Sequence, residues 1–496
     1  GHIYVGTGNT HEFANGNGGS GSIGGGLFVS TDGGVTWDYA LDEDGSPIKP
    51  STISVNTKYS FFDKIIADPN VDNKLWVGSN TFFKAYVEGE GFLATPTGIP
   101  TIGCEDVDIS TNGSVIMVSM IGGIGRNGFI SNDGGDSFSV VSGSGEGMLP
   151  LNSQRIESDI SPDDENYIYA GVVRGGKLSN VFVSTDKGNT WTMFWDTNIA
   201  GADPDPNGQG FYDLAVSVVP GDKEIVLIGA LDVWSGGPNA TPLQRSLWAY
   251  GIFTPGLDQF PLYVHADIHE FAWDESGMLF IGSDGGIDRT DDNAETFTNA
   301  NRFYSVTQYY GIGYSANDKV IGGAQDNGTT YVTKDRSTVQ EAYKVSGGDG
   351  FDCDISSLTP DGNVVFTSIQ FNTILRSNDG GSTGGTFLND VMLQLFGPFH
   401  SQLRLYETKT AQNTPYVVKF INETGSIIEA GSELTLTSNT LDVPYNVITT
   451  DDIAPDDTVL FNDPVASSFS VGYVNTGGVW VTREALQFSE SPRWAK

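Results

Sequence analysis

The sequence predicts an all-β fold assembled from a repeated four-stranded unit. Short apolar strands separated by Gly, Asn and Asp turns run through the whole chain, whereas helical periodicity is scarce. Glycine accounts for 64 of the 496 residues, which indicates many tight turns. One turn pattern recurs at multiples of about fifty residues, a period typical of repeat folds.

The recurring pattern reads S/T-x-D-x-G-x-T/S-aromatic, and we call it the turn box. Hydroxyl and carboxylate groups bond turn amides, and glycine supplies a positive φ. Each box is therefore predicted to be a structural clasp in a hairpin, with its aromatic side chain packed beneath the turn. Weaker copies begin at Thr290 and Ser377, and a degraded copy is expected at residues 333–335. The three best copies are defined by Ser30, Asp32, Gly34 and Trp37, by Ser131, Asp133, Gly135 and Phe138, and by Ser184, Asp186, Gly188 and Trp191.

Four strands in each unit of about fifty residues match the size of a β-propeller blade. We therefore predict a propeller of seven or eight four-stranded blades over residues 1–392. Residues 393–496 are predicted to form a smaller C-terminal β-rich part, with an inserted β domain and the start of further blades. The natural polypeptide is accordingly expected to be longer than this sequence.

Charge restricts the possible partners. The chain has 25 Lys and Arg against 62 Asp and Glu, and its net charge is −37. Phosphate backbones and anionic lipids repel such a protein, so nucleic acid is not an expected partner. No apolar run is long enough to span a membrane, and no signal peptide is expected at the start. The two cysteines, Cys104 and Cys353, are predicted to be buried thiols at comparable places in the repeat.

The sharpest candidate for a binding site is His265-x-Asp267-x-His269. In a strand, residues i, i+2 and i+4 share one face, and two imidazoles with a carboxylate suit a transition metal or another ligand. A straight strand separates i and i+4 by about 13 Å, so one ion would require a bend or a bulge. The alternative is polar packing near a propeller axis.

Gly-flanked polar turns form a second candidate set, consisting of Asp284, Gln325, Asp326, Asn327 and Asp349. We expect them to crowd the mouth of a central channel. Their carboxylate and amide groups suit Ca²⁺ or sugar hydroxyls. Turn chemistry alone is the alternative.

A third candidate resembles the start of a calcium loop and places Asp203, Asp205 and Asn207 at alternate positions before Gly208. Leu214 occupies the position of the glutamate that would close such a loop. A Pro-rich acidic turn is therefore the alternative, and Ca²⁺ is the one cofactor that the sequence suggests.

The turn boxes resemble the Asp-box, or BNR, repeats of sialidases, sortilin-type receptors and xyloglucanase-type glycosidases, all of which are β-propellers. Further segments resemble one group of secreted bacterial BNR-propeller proteins, many of which are large cell-surface proteins with a type IX secretion tail. This resemblance implies an extracellular or cell-surface location. The matching segments are residues 209–213, 263–269, 282–287, 323–329 and 347–350.

A sialidase is not expected, because Gln154-Arg155-Ile156-Glu157 lacks the aromatic residue and the proline of that family's arginine motif. The leading hypothesis is an extracellular, non-enzymatic binding or adhesion module that contacts glycans or partner proteins, with no catalytic residue assigned. One alternative is a glycoside hydrolase with paired carboxylates. Another is an architectural component of a large surface or secretion assembly.

Overall fold

The computed structural model divides the chain into two compact units, Gly1–Tyr304 (unit 1) and Ser305–Lys496 (unit 2). The predicted box at 333–335 lies outside the described residues, and the predicted division after residue 392 stays a prediction. The structure describes residues 1–8, 23–52, 57–121, 127–199, 201–249, 260–301, 307–315, 318–332, 342–359, 362–386, 388, 397–400, 402–412, 414–439, 441, 443–473, 478–489 and 491–496.

In unit 1 the elements with described bounds are strands, arranged as six consecutive sheets. The first sheet is β1 (Ile3–Gly6), β2 (Leu27–Ser30) and β3 (Asp38–Tyr39). The second is β4 (Phe62–Ala67), β5 (Lys74–Ser79), β6 (Phe83–Val87) and β7 (Gly91–Phe92). The third is β8 (Cys104–Ile109), β9 (Ile116–Met120), β10 (Gly128–Ser131) and β11 (Ser139–Val140). A short parallel pair follows, β12 (Ser142–Gly143) and β13 (Leu149–Pro150).

The other three sheets of unit 1 also have four antiparallel strands in chain order. The fourth is β14 (Arg155–Ile160), β15 (Ile168–Arg174), β16 (Lys177–Ser184) and β17 (Thr192–Asp196). The fifth is β18 (Ala215–Val218), β19 (Val226–Gly229), β20 (Val233–Gly237) and β21 (Ala240–Gln244). The sixth is β22 (Ile268–Trp273), β23 (Leu279–Ser283), β24 (Gly286–Thr290) and β25 (Thr298–Asn299).

Unit 2 contains the seventh and eighth sheets, and a three-stranded ninth sheet with an insertion. The seventh is β26 (Gly311–Tyr314), β27 (Val320–Ala324), β28 (Gly328–Val332) and β29 (Ala342–Ser346). The eighth is β30 (Cys353–Ile355), β31 (Val365–Ile369), β32 (Thr373–Ser377) and β33 (Gly385–Thr386). The ninth starts with β34 (Leu403–Thr408), and then come β35 (Val417–Ile421), β36 (Glu433–Thr437), β37 (Pro444–Ile448), β38 (Thr458–Asn462), β39 (Ala466–Tyr473) and β40 (Gly478–Thr482).

The ninth sheet has the order β34-β39-β40, whereas β35 pairs with β38 and β36 with β37. The four strands β35–β38 are therefore inserted between two neighbours of one sheet. Seven of the described sheets have four antiparallel strands, which confirms the predicted all-β propeller class and its four-stranded repeat.

The first strand of each sheet, called here the leading strand, contacts the leading strand of the next sheet throughout unit 1. Propeller blades pack in this way. Carboxylates reinforce these contacts, because Asp106 accepts the backbone N–H of Ser158 at 2.9 Å and Asp159 accepts that of Val218 at 2.6 Å. The buried amides of one leading strand are thus satisfied by side chains of the preceding one.

The apolar cores lie between consecutive sheets. One core joins Tyr169 and Val181 of the fourth sheet to Val226 and Trp234 of the fifth. Burial of both faces explains why these strands read as nearly continuous apolar runs. The free thiols Cys104 and Cys353 begin the leading strands β8 and β30 and are buried, as predicted.

Five turn boxes join the last two strands of their sheets and repeat one set of bonds. In the copy at residues 184–191, Ser184 donates to Asp186 Oδ1 at 2.8 Å, and Asp186 Oδ2 accepts the Thr190 hydroxyl at 2.7 Å. The indole N–H of Trp191 donates to the carbonyl oxygen of Gly188 at 3.1 Å. These bonds close the turn on itself.

The box aromatics differ in burial. Phe138 and Trp191 are only 6% and 5% exposed, because each packs into a core shared with the preceding sheet. Trp37 also lies beneath its turn, where its indole N–H donates to the carbonyl oxygen of Gly34 at 3.1 Å, but it is 41% exposed. The turn box of Trp37 belongs to the first sheet of the chain, so within the described residues no preceding sheet covers this side chain.

Candidate functional site

Three leading strands of unit 1 carry a β-bulge near their first residue. The extra residue is Asp63 in β4, Glu105 in β8 and His269 in β22. A bulge re-aims its side chain and is common beside binding sites. These three side chains line one cavity of about 440 Å³, which we call the unit 1 pocket. Its other lining residues are Gly8, Lys64, Arg155, Glu157, Tyr212, Glu270 and Asp284.

Lys64 is surrounded by carboxylates. Its Nζ lies 2.8 Å from Glu270 and 3.9 Å from both Asp106 and Glu157. Burial opposes its charge, but these three carboxylates raise the pKa of Lys64 above its ordinary value. The ammonium therefore stays charged within the pocket.

Arg155 is the second cation of the pocket. Its guanidinium donates two bonds to Glu157 Oε2, at 2.8 and 3.2 Å. It also donates to the carbonyl oxygens of Tyr212 and Leu214, at 3.2 and 2.9 Å. These contacts hold Arg155 as a fixed part of the wall.

Asp284 accepts hydrogen bonds from two aromatic side chains. The Nε2 atom of His269 lies 2.7 Å from Asp284 Oδ1, and the Tyr212 hydroxyl donates to Oδ2 at 2.9 Å. The two rings meet edge to face with their centroids 4.8 Å apart. Asp284, Tyr212 and His269 therefore form one oriented group on the pocket wall.

Glu105 lines the pocket from the bulge of β8. Its side chain is buried, and its Oε2 atom has no hydrogen-bond partner among the described residues. Burial raises the pKa of Glu105 to about 8, a rise that Arg155 opposes and the Asp63 carboxylate strengthens. Glu105 therefore holds a proton at neutral pH, and it lies in a pocket that also holds the hydrogen-bonded carboxylate of Asp284.

Asp213 and Asp267 form a hydrogen-bonded acidic pair outside the lining of the unit 1 pocket. Burial, and then the charge of Asp267, raise the pKa of Asp213 to about 10. Burial also raises the pKa of Asp267, whose Oδ1 accepts a bond from Gln209 at 3.0 Å. Asp213 therefore carries the proton of this carboxyl pair.

The sequence places His265, Asp267 and His269 on one strand face, and the structure does not. The strand β22 begins at Ile268, and Asp267 has a φ of 61°. This left-handed residue turns the chain before the strand begins. Of the three, His269 lines the pocket, whereas His265 Nδ1 lies 3.1 Å from the carbonyl oxygen of Ala266. Their role as a metal or ligand site stays a prediction.

The predicted turn residues Gln325, Asp326, Asn327 and Asp349 belong to unit 2. Gln325 Oε1 accepts the Tyr310 hydroxyl at 3.1 Å, and the Asp326 amide donates to Asp349 Oδ1 at 3.1 Å. The Asn327 amide donates to the carbonyl oxygen of Gln325 at 2.7 Å. These bonds bring the turns 325–327 and 349 together. A ligand-binding role stays a prediction.

The candidate calcium loop is organised by its own amides. Both oxygens of Asp205 accept backbone N–H groups, from Gln209 at 2.7 Å, Gly210 at 2.8 Å and Leu178 at 3.0 Å. Asp203 binds the ammonium of Lys177 at 3.1 Å. These backbone N–H groups supply hydrogen bonds to both oxygens of the Asp205 carboxylate. The calcium site formed by Asp203, Asp205 and Asn207 stays a prediction.

The sequence predicts only two of the residues that line the pocket, His269 and Asp284. It does not indicate Asp63, Glu105 or Glu270. One available signal was a charged residue near the start of successive leading strands, about fifty residues apart. Such residues lie at the same end of neighbouring blades, so their side chains can meet at one pocket.

The known proteins that are similar to this chain are solved structures. No protein-family profile matches the chain, and no curated protein matches it. Among solved structures, the Niastella koreensis GH74 enzyme is similar at 13% identity and a TM-score of 0.41, over 100% of this chain and 83% of that one. The GH74 xyloglucanase from Xanthomonas campestris is similar at 11% identity and a TM-score of 0.31, over 95% and 74%.

A third similar structure is YCF48 from Cyanidioschyzon merolae, at 14% identity and a TM-score of 0.29, over 61% of this chain and 89% of that one. Likeness at this level carries no argument about activity. The described residues form no helix of the length and apolar character that crossing a membrane requires.

Proposed function

We propose that this chain is an extracellular binding propeller that holds a carbohydrate in the unit 1 pocket. One observation carries the proposal: a cavity of about 440 Å³ is lined mainly by charged and polar side chains held in place by one another. Preorganised donors and acceptors of this kind suit the hydroxyl groups of a sugar. The volume suits one or two sugar rings.

The charge of the protein supports a ligand without phosphate groups. A net charge of −37 disfavours nucleic acids and anionic membrane surfaces. Sugars without anionic groups escape this repulsion. Glycans of a cell surface, or a glycosylated partner protein, are therefore the proposed partners.

We further propose that the protein belongs with the secreted Asp-box, or BNR, propellers and reaches the cell surface by type IX secretion. The recurrence of one bond set in five turn boxes supports this relationship. Fractionation of the producing cells tests the location. Recovery of the protein from the cytoplasm alone would contradict it.

Calorimetric titration of the full chain with a panel of neutral oligosaccharides tests the binding function. We expect saturable binding that Asp284→Asn weakens, because this change disturbs the acceptor shared by His269 and Tyr212. The control is Asp222→Asn, which alters an exposed aspartate of the same unit outside the pocket. Binding that Asp284→Asn leaves unchanged would place the sugar elsewhere.

Glycoside hydrolysis is the second candidate function, and the protonation of Glu105 favours it. Such enzymes combine a protonated carboxylic acid with an ionised carboxylate. Glu105, with a pKa of about 8, and Asp284 share the pocket. Release of reducing ends that Glu105→Gln abolishes would support this candidate. Binding without turnover would leave the chain a binding module.

A further inference from the structure

We infer that the unit 1 pocket selects a ligand with a positively charged amino group, such as an amino sugar, and that Glu105 releases its proton when this group binds. The inference rests on the proposed carbohydrate-binding function and specifies the ligand class. It concerns a site that combines an unsatisfied buried carboxyl group with an excess of acidic side chains.

The lining of the unit 1 pocket has more acidic than basic side chains. The pocket has five carboxyl groups but two permanently charged cations, Lys64 and Arg155. Both cations are already engaged, at 2.8 Å from Glu270 and 2.8 Å from Glu157. The lining therefore offers negative charge to a ligand and has no permanent cation left to balance it.

Glu105 offers a hydrogen-bond acceptor to a ligand. Glu105 is only 7% exposed, it lines the cavity, and its Oε2 atom has no hydrogen-bond partner among the described residues. A buried carboxyl oxygen without a partner is unfavourable, and a donor supplied by a ligand would relieve it. An ammonium group supplies both the donor and the missing charge.

The contacts of the pocket oxygens favour an ammonium ion over a metal ion as the ligand. Ca²⁺ requires six to eight oxygen ligands, whereas oxygens of Glu270, Glu157 and Asp284 are already bonded to Lys64, Arg155 and His269. The Oε2 atom of Glu105 suits a single N–H donor. Lys64 already places one ammonium among three carboxyl groups of this region, at 2.8 to 3.9 Å.

The protonation of Glu105 depends on the charged groups around it. The charged groups that act on Glu105 are Asp63 from β4, Arg155 and Glu157 from β14, and Asp106 on its own strand. The titratable groups Lys64, His269, Glu270 and Asp284 line the same cavity. Burial and the acidic neighbours raise its pKa to about 8, so the free protein holds the proton near pH 6. A bound cation lowers this pKa, and the proton passes to the buffer.

Titration calorimetry near pH 6 tests the inference, with glucosamine as the charged probe and N-acetylglucosamine as its neutral match. At about pH 6, roughly two units below the pKa of Glu105, an amine keeps its charge. We expect glucosamine to bind about tenfold tighter or more. Repeating the titration in buffers of different ionisation enthalpy should show release of close to one proton per glucosamine.

Glu105→Gln keeps the shape of the side chain but has no titrating proton. We expect it to abolish proton release and most of the preference for glucosamine, while N-acetylglucosamine binding stays within about threefold. The matched control is Glu43→Gln, an exposed glutamate outside the pocket. If Glu105→Gln fails to fold, proton release by the unaltered protein still decides the question.

The other outcomes of these titrations separate failure of the amino-group inference from failure of the proposed carbohydrate binding. Equal binding of the two sugars, or glucosamine binding without proton release, overturns the inference but leaves carbohydrate binding intact. Binding of neither these sugars nor any oligosaccharide of the panel overturns the proposed function itself. Proton release on titration with CaCl₂ alone, at lower concentration than with glucosamine, would replace the amino ligand by a metal ion.

Discussion

At the scale of single residues, carboxyl groups have opposite properties in the turn boxes and in the pocket. Hydrogen bonds from Thr36 and Ser30 lower the pKa of the exposed Asp32 to about 2. Burial raises the pKa of Glu105 to about 8. The box aspartate therefore acts as an ionised acceptor within a turn, whereas Glu105 retains a proton that a ligand can displace.

The box glycines combine a left-handed backbone with close packing. Gly188 has a φ of 74°, and a Cβ atom there would lie 2.2 Å from Ile130 Cδ1. We expect Gly188→Ala to lower the free energy of unfolding by about 2–4 kcal/mol, from backbone strain and overpacking together. Gly221→Ala is the control, because Gly221 also has a positive φ but open space at its Cβ. Equal losses in urea unfolding would show that packing contributes nothing.

At the scale of elements, carboxylates on one leading strand bind amides on the next. Asp159 accepts the N–H of Val218, a residue that is only 1% exposed, and beyond the end of β14 Asp163 accepts that of Gly221 at an exposed position. The same bond therefore occurs in two environments, which allows the contribution of burial to be measured.

We expect Asp159→Ala to lower the free energy of unfolding by about 1–3 kcal/mol, because the amide of Val218 loses its partner away from water. Asp163→Ala should change it by less than about 0.5 kcal/mol, since water replaces the exposed acceptor. Chemical denaturation of both variants measures the difference. A loss for Asp163→Ala as large as that for Asp159→Ala would mean that burial does not govern these bonds.

At the scale of the whole molecule, the buried carboxyls determine how stability depends on pH. The pKa is raised to about 8 at Glu105, about 7 at Glu157 and about 10 at Asp213. Between the ordinary carboxyl pKa and these values, the folded protein binds more protons than the unfolded chain. Stability therefore falls as pH rises through this window.

The box aspartates act in the opposite direction at low pH. Their lowered pKa of about 2 at Asp32, Asp133 and Asp379 means that their contribution is lost as pH falls below the ordinary carboxyl range. We expect the Tm to be highest near pH 4 to 5 and to decline on both sides, as measured by scanning calorimetry of the full chain. A Tm that rises from pH 5 to pH 8 would contradict this account.

The candidate site was only partly predictable from the sequence. His269 and Asp284 were selected because of their residue types, and both line the pocket. Asp63 and Glu105 were not, because each becomes an inward-facing residue through a bulge that no local pattern indicates. The predicted shared face for His265 and His269 failed because the positive φ of Asp267 ends the extended backbone.

The sequence by itself determined the repeat, the four-stranded sheets and the charge of this protein. Box bonds such as that between Ser184 and Asp186 join residues within one turn, so a short pattern suffices to specify them. Only the tertiary structure decided which carboxyls are buried, protonated or paired. Lys64 meets Glu157 and Glu270 across different sheets, and Glu105 owes its raised pKa to burial and to neighbours on other strands. These properties depend on long-range packing and on exclusion of water, which local sequence does not specify.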